Sequence, residues 1–209
     1  FNGNYLESII YELHLKDVNV ENDASDYLSL IKKLDYIKSL GITHIQIMPV
    51  NVFGGVDEAN KDAMYNWGYN PVEFNSLSEW YSSDGAPYTA INEFKQLVDE
   101  IHHRGLNINL DVVYNHVYVA KTFSLNILVP GYVYRTDEHG FMTNGSGCGT
   151  DIASKRKMNR RFIVDSLVHF VKNYDVDGFR FDLMGLLDYE TLNIVYKTLK
   201  QIKPNIMLY

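Results

Sequence analysis

Cysteine is nearly absent: Cys148 is the only one in 209 residues. An internal disulfide framework is therefore excluded, and stability has to come from packing. Long apolar runs are missing too. None approaches the roughly 20 residues that a membrane-spanning helix needs, so no membrane partner is expected. Positive charge is scarce and dispersed, with 19 Lys and Arg against 26 Asp and Glu and a formal net charge of −7. Phosphate recognition needs a concentrated basic face, and no Lys/Arg block exists here, which argues against a nucleic-acid partner. Metal-site spacing is also lacking. His102 and His103 fall in the last turn of a helix, where positive charge complements the dipole. His44 opens a strand, His139 lies in a loop and His169 in a helix, so no pair has the spacing of a zinc site. No catalytic metal and no required cofactor are expected. A structural Ca2+ on Asn115 or loop carboxylates stays open, although no dense carboxylate loop demands one.

What is present is ordinary globular material, 46% hydrophobic and 22% charged, enough for one domain with a real core. Aromatics make up 13%, with 16 Tyr, whose flat apolar face and hydrogen-bonding tip suit sugar stacking as well as core packing. Phe1 is not an initiator Met, and the chain stops in an apolar run at 206–209, so both ends read as cut from a longer protein. A leader would lie outside the sequence, and cytoplasmic and secreted locations both stay open.

Three times an amphipathic helix pattern runs through a breaker into a β-rich segment. Leu28, Leu30, Ile31, Leu34, Ile37 and Leu40 mark the first helix, Gly41 stops it, and residues 42–50 form a strand. Ile91, Phe94, Leu97, Val98 and Ile101 mark the second, followed by Gly105 and a strand over 106–113. Phe162, Val164, Leu167, Val168, Phe170 and Val171 mark the third, with a turn at 175–178 and a strand over 179–184. A first strand over 9–15 precedes these repeats, and a further helix over 189–202 leads to the last strand. The order βαβαβαβαβ, with strands read as continuously apolar, implies an α/β fold with a parallel sheet covered by helices. A barrel and a doubly wound sheet both satisfy it. Long insertions, 51–87 and 117–157, follow strand C-terminal ends, where a barrel builds its site. Five strands of such a barrel would leave open edges and an uncovered inner face, so the remainder of the barrel is expected to be needed.

Two polar constellations interrupt the strands. Arg180 and Asp182 stand two residues apart, on one strand face. A guanidinium beside a carboxylate favours the ionised form, so Asp182 is expected to act as nucleophile or ligand rather than as an acid. The third strand ends in Asp111, Asn115 and His116. Asp111 is placed to hold Arg180 from the neighbouring strand, and His116 to reach a substrate hydroxyl through a ring nitrogen. The glycine-rich stretch 145–149 has no following Lys-Ser/Thr and opens no helix, so it reads as an active-site loop and not a phosphate cradle.

These residues carry a resemblance. DVVYNH (111–116) and GFRFD (178–182) look like the first two conserved regions of the alpha-amylase superfamily of glycoside hydrolases. YNWGYNP (65–71) resembles the signature that separates type I pullulanases from plain amylases. NGSGCG (144–149) and GFRFDLMG (178–185) are similarly pullulanase-like, and the likeness runs from IIYELH (9–14) onward. The resemblance implies a partial (β/α)8 TIM barrel: strands 1 to 4, the start of strand 5, and a long insertion after strand 3. Residues 1–209 would form the N-terminal part of the catalytic domain, with 117–157 an inserted loop subdomain. It further implies Asp182 as nucleophile and Arg180 as its ionising neighbour, with Asp111 and His116 at supporting and substrate-binding positions. Tyr69 would stack on the sugar at the cleaved bond, beside Trp67, and Leu183 would touch substrate. The implied reaction is cleavage of α-1,6 branches in pullulan, limit dextrin or glycogen with retention of configuration. An α-1,4-acting amylase, a branching enzyme and a non-catalytic carbohydrate-binding relative that keeps Tyr69 and Trp67 are the alternatives.

The family's general acid is a Glu after strand 5, beyond Tyr209, and neither Glu12 in the first strand nor Glu190 in a helix replaces it. The segment alone is therefore expected to be inactive. The parent reading frame is predicted to encode a Glu within a few residues of Tyr209. Sequencing that finds none would favour the non-catalytic relative.

Overall fold

Within the residues it describes, 5–18, 26–57 and 64–209, the computed structural model alternates strands and helices along the chain. Strand β1 spans Ile10–Leu13, β2 His44–Ile47 and β3 Asn107–Val112; β6 spans Gly178–Phe181 and β7 Met207–Leu208. The long helices are α1 (Tyr27–Ser39), α2 (Pro87–His103), α4 (Lys157–Tyr174) and α5 (Tyr189–Ile202). Between β3 and α4 lie β4 (His116–Val117), the short helix α3 (Ser124–Leu128) and β5 (Thr150–Asp151). Residues 58–63 of the first insertion lie outside the described residues.

Local chemistry fixes the helix ends. Asp26 caps α1 by accepting the Ser29 amide at 2.8 Å, and Asp188 caps α5 by accepting the Thr191 amide at 3.0 Å. Helix α4 ends at Asp175, which takes a left-handed conformation at φ 54°. His102, expected to answer the dipole of α2, goes further. Its Nε2 lies 2.8 Å from Asp177, which also accepts the Ile108 amide, so the helix end is tied to the β3 and β6 strands. That hydrogen bond holds the His102 imidazolium above its usual range, against the opposing effect of burial.

All five long-order strands pair in parallel in the sequence β1-β2-β3-β6-β7. The expected alternating α/β architecture with a parallel sheet is therefore present. The expectation of continuously apolar strands is corrected. In β3, Ile108, Leu110 and Val112 alternate with Asn107, Asn109 and Asp111, and β2 alternates His44 and Gln46 with Ile45 and Ile47. The apolar set joins Leu30, Leu34, Phe94, Leu97, Leu167 and Phe170 in one core. The opposite face is polar, carrying Glu12, Gln46, Asn109, Asp111 and Arg180. Strand period two makes this division, and helices cover only one side.

The polar face is concave. Strands β2 and β7 would stand about 14 Å apart in a flat sheet, yet the Tyr209 hydroxyl donates to Gln46, and Gln46 donates to Glu12. At the other end Tyr5, just before β1, donates its hydroxyl to the Ile206 carbonyl at 3.0 Å beside β7. Curling leaves little room inside. Gly178 pairs with Asn109, and a Cβ there would sit 2.7 Å from the Met207 carbonyl and closer still to the Asn109 amide oxygen.

Each of these strands is shorter than expected: β1 covers Ile10–Leu13 of 9–15, β2 His44–Ile47 of 42–50 and β3 Asn107–Val112 of 106–113, while β6 ends at Phe181 and not 184. Asp182 still donates its amide to Val112 at 3.0 Å, but Leu183 turns into the left-handed region and a short 3₁₀ turn, Met184–Leu186, follows. Replacing Gly178 with Ala is expected to destabilise the full-length protein by about 1–3 kcal/mol through overpacking. Urea unfolding checks this, and pairing it with Asn109→Ala should recover part of the loss.

Candidate active site

Asp111 of β3 and Arg180 of β6 are register partners in adjacent parallel strands. Arg180 Nη1 lies 3.0 and 2.9 Å from the two Asp111 oxygens and 2.9 Å from Asp182 Oδ1. One nitrogen thus gathers three carboxylate oxygens. Exposure grades outward: the Asp111 side chain is 0% exposed and that of Asp182 15%. The deep carboxylate anchors the guanidinium, and the outer one stays partly exposed.

Tyr69 completes the anchor by donating its hydroxyl to Asp111 Oδ2 at 2.5 Å. Burial pushes the Asp111 carboxyl up to about 6, against the hydrogen bonds from Tyr69 and Arg180, which favour its charged form. Burial also opposes charge on Arg180, but the hydrogen bond and charge of Asp111 prevail and raise it above its ordinary value. The Tyr69 phenol is raised as well, first by burial and then by donating to Asp111.

Behind Asp182 stands Asn115, which the sequence marked only as a polar group at the end of the third strand. Its Nδ2 donates to the Asp182 carbonyl at 2.9 Å and to Asp182 Oδ2 at 3.2 Å. Adjacent residues of a strand point to opposite faces, so Asn115 and His116 share no face by spacing alone. Only the bend between β3 and β4 brings them together. His116 Nδ1 lies 2.5 Å from Asn115 Oδ1, and Nε2 lies 3.0 Å from the Tyr69 carbonyl. His116 is buried, and its ring nitrogens join the Tyr69 loop to the Asp182 loop. Burial pulls its imidazolium below the usual range, with the Tyr69 carbonyl and the Asp182 and Asp151 charges acting in the other direction.

Around this group the loops present apolar surface. Tyr69 is half-buried, and Trp67, two residues earlier, is 58% exposed. Gly68 between them has φ +89° and meets the Pro49 carbonyl, a turn that a side chain would strain. Leu183, immediately after Asp182, is 44% exposed at φ 45°, rare for a residue with a side chain. Strain of that kind costs on the order of 1–3 kcal/mol and gathers at working sites. The glycine-rich loop is held by Asp151 Oδ2, which accepts the Gly145 amide and the Thr143 hydroxyl, both at 2.8 Å. A Cβ on Gly149 would press within 2.8 Å of the His116 ring, so this loop lies against the same cluster.

A cavity of about 640 Å³ lies elsewhere, between β1 and α1, lined by Tyr11, His14, Lys33 and Tyr36. It contains none of the polar cluster, and the carboxylate geometry marks the better site. Among the described residues no group of three or more His, Cys, Asp and Glu could hold a metal ion, and no helix is long and apolar enough to cross a membrane.

Comparison with known proteins follows the same lines. The alpha-amylase catalytic-domain family model matches residues 9–125, more than half of the chain. The chain is 41% identical to a pullulanase of Bacillus subtilis (strain 168), over 98% of this chain and 31% of that protein. It is 35% identical to isoamylase SU1 of Zea mays, over 86% of this chain and 24% of that one. A pullulanase of Anoxybacillus sp. LM18-11, solved with maltotriose, superposes with a TM-score of 0.93 and 43% identity, over 97% of this chain and 31% of that one. The chain thus spans about a third or less of the length of these relatives.

Tyr69→Phe removes a donor that favours ionised Asp111, so the Asp111 titration should move above about 6. A carboxyl raised above its unfolded value near 3.9 contributes stability fully at lower pH and loses it as pH rises through the folded value. The variant should therefore lose more stability than wild type between about pH 4 and pH 7. Denaturant midpoints at the two pH values check the difference, and equal losses would count against the hydrogen bond.

Proposed function

Because the chain belongs to the alpha-amylase family of catalytic domains, we propose that it is the N-terminal part of a debranching glycoside hydrolase that cleaves α-1,6 glucosidic bonds. The observation that carries the reading is Asp182, held by Arg180 from one side and Asn115 from the other, with its side chain still 15% exposed. Such a group suits attack on an anomeric carbon, giving a covalent glycosyl-Asp182 intermediate and retained configuration. Pullulanase and isoamylase relatives favour a branched α-glucan such as pullulan, limit dextrin or glycogen as the partner. No cofactor enters this chemistry.

A retaining hydrolase needs a second carboxyl about 5–5.5 Å from the first, with a raised pKa to protonate the leaving oxygen. Asp111 is raised, but it is fully buried and bound to Arg180 and Tyr69, so no glycosidic oxygen can reach it. Glu12 accepts from Gln46 on the concave face, and Glu190 pairs with Arg160 at 2.8 Å. The acid is therefore assigned to the parent protein outside this chain. On this reading β1, β2, β3, β6 and β7 are strands 1 to 4 and the start of strand 5 of a (β/α)8 barrel, with 117–157 its inserted subdomain. Tyr69 and Trp67 offer ring faces to the sugars, and Leu183 lies beside the nucleophile as a further contact.

In the full-length protein Asp182→Asn, which keeps shape and removes charge, should lower pullulan hydrolysis by roughly 10⁴-fold or more while leaving the unfolding midpoint nearly unchanged. Product analysis on pullulan and linear amylose accompanies it. Cleavage of amylose alone would point to an α-1,4-acting enzyme, and glucan binding without cleavage by wild type to a non-catalytic relative.

A further inference from the structure

We propose that Asn115 is a positioning residue for Asp182, its amide locked in one orientation by a His116 ring that carries a proton on both nitrogens. The proposal rests on the reading of Asp182 as nucleophile. The amide faces two acceptors, the Asp182 carbonyl at 2.9 Å and Asp182 Oδ2 at 3.2 Å. Neither can donate if the carboxylate is to act as a nucleophile, so the NH2 end must point at Asp182. The amide oxygen is thereby turned toward His116 Nδ1, 2.5 Å away. The far nitrogen, Nε2, meets the Tyr69 carbonyl at 3.0 Å, and a carbonyl has no hydrogen to give. Either neutral tautomer would press a lone pair against an oxygen. The doubly protonated ring satisfies both contacts.

Burial opposes the cation, because the ring is only 1% exposed. Two charged groups favour it: Asp182 beyond Asn115, and Asp151 of β5, the register partner of His116. The Tyr69 hydroxyl is turned away toward Asp111. Burial is the largest of these effects and pulls the imidazolium below its usual range. The mechanical effect of Asn115 is specific. Arg180 fixes Oδ1 of Asp182, while Asn115 fixes Oδ2 and also the main-chain carbonyl just before the left-handed turn at Leu183. Both edges of the carboxylate and its backbone are then set. A displacement of about 1 Å in such a group costs about 100-fold in rate.

The test uses the full-length enzyme. Neutron diffraction from deuterium-exchanged crystals at about pH 5.5 should show deuterium on both ring nitrogens of His116, below the ordinary imidazole range near 6.5. A singly protonated ring overturns the proposal, whatever the variants do. With pullulan, Asn115→Ala should lower kcat about 100-fold and move KM less than about threefold. Asn115→Asp should be as slow near neutrality but regain activity as pH falls and its carboxyl gains a hydrogen to donate, a recovery that Asn115→Ala lacks. An Ala variant with near-wild-type kcat, or an Asp variant that follows Ala at every pH, overturns the positioning role. Wild-type protein that cleaves no α-glucan defeats the nucleophile reading instead, and the neutron map still decides the state of the ring.

Discussion

Asp111 is fully buried and needs a cation, and Arg180 supplies it only because β3 and β6 run in parallel with these two residues paired across the ladder. A buried charge left alone would cost several kcal/mol, so the strand register and the ion pair depend on each other. Slipping either strand by one residue would turn Asp111 or Arg180 into the apolar layer beneath the helices. The position of Asp182 follows from that register. It is the next residue after β6, reached by the same guanidinium nitrogen that holds Asp111.

The polar concave face and the apolar convex face are two outcomes of one alternation. Ile108, Leu110 and Val112 build the core against the helices, while Asn109 and Asp111 enter the curve of the sheet. Curling then does for the site what burial does for the core: it brings residues from separate strands into contact range. Because all five strands are parallel, their C-terminal ends share one rim, and the loops carrying Tyr69, Asn115, His116 and Leu183 meet there.

Order at that rim runs through hydrogen bonds rather than packing. Asp111 accepts from Tyr69, the Tyr69 carbonyl faces His116, His116 faces Asn115, and Asn115 holds Asp182, which returns to Arg180 and Asp111. The ring of contacts closes on the buried aspartate from which it started. Groups this costly to bury, next to a strained Leu183, are poor devices for stability alone. They are good ones for fixing a partly exposed carboxylate.

The sequence by itself determined the alternation of helices and strands, because periods of 3.6 and 2 and the glycine stops are local properties of the chain. It also marked Arg180, Asp182, Asp111 and His116 as chemically significant, since polar residues at the ends of apolar strands are visible without coordinates, and Tyr69 through the family resemblance of YNWGYNP. The local reading missed the two-faced character of the strands, because β2 and β3 are short and their alternation is lost inside longer apolar runs. It placed Asn115 and His116 at the end of the third strand without showing which partners they find there. Only the tertiary structure decided those. Which partner a side chain finds depends on the bend after β3 and on the loop from β2, separated by more than 40 residues, and no spacing rule spans that distance.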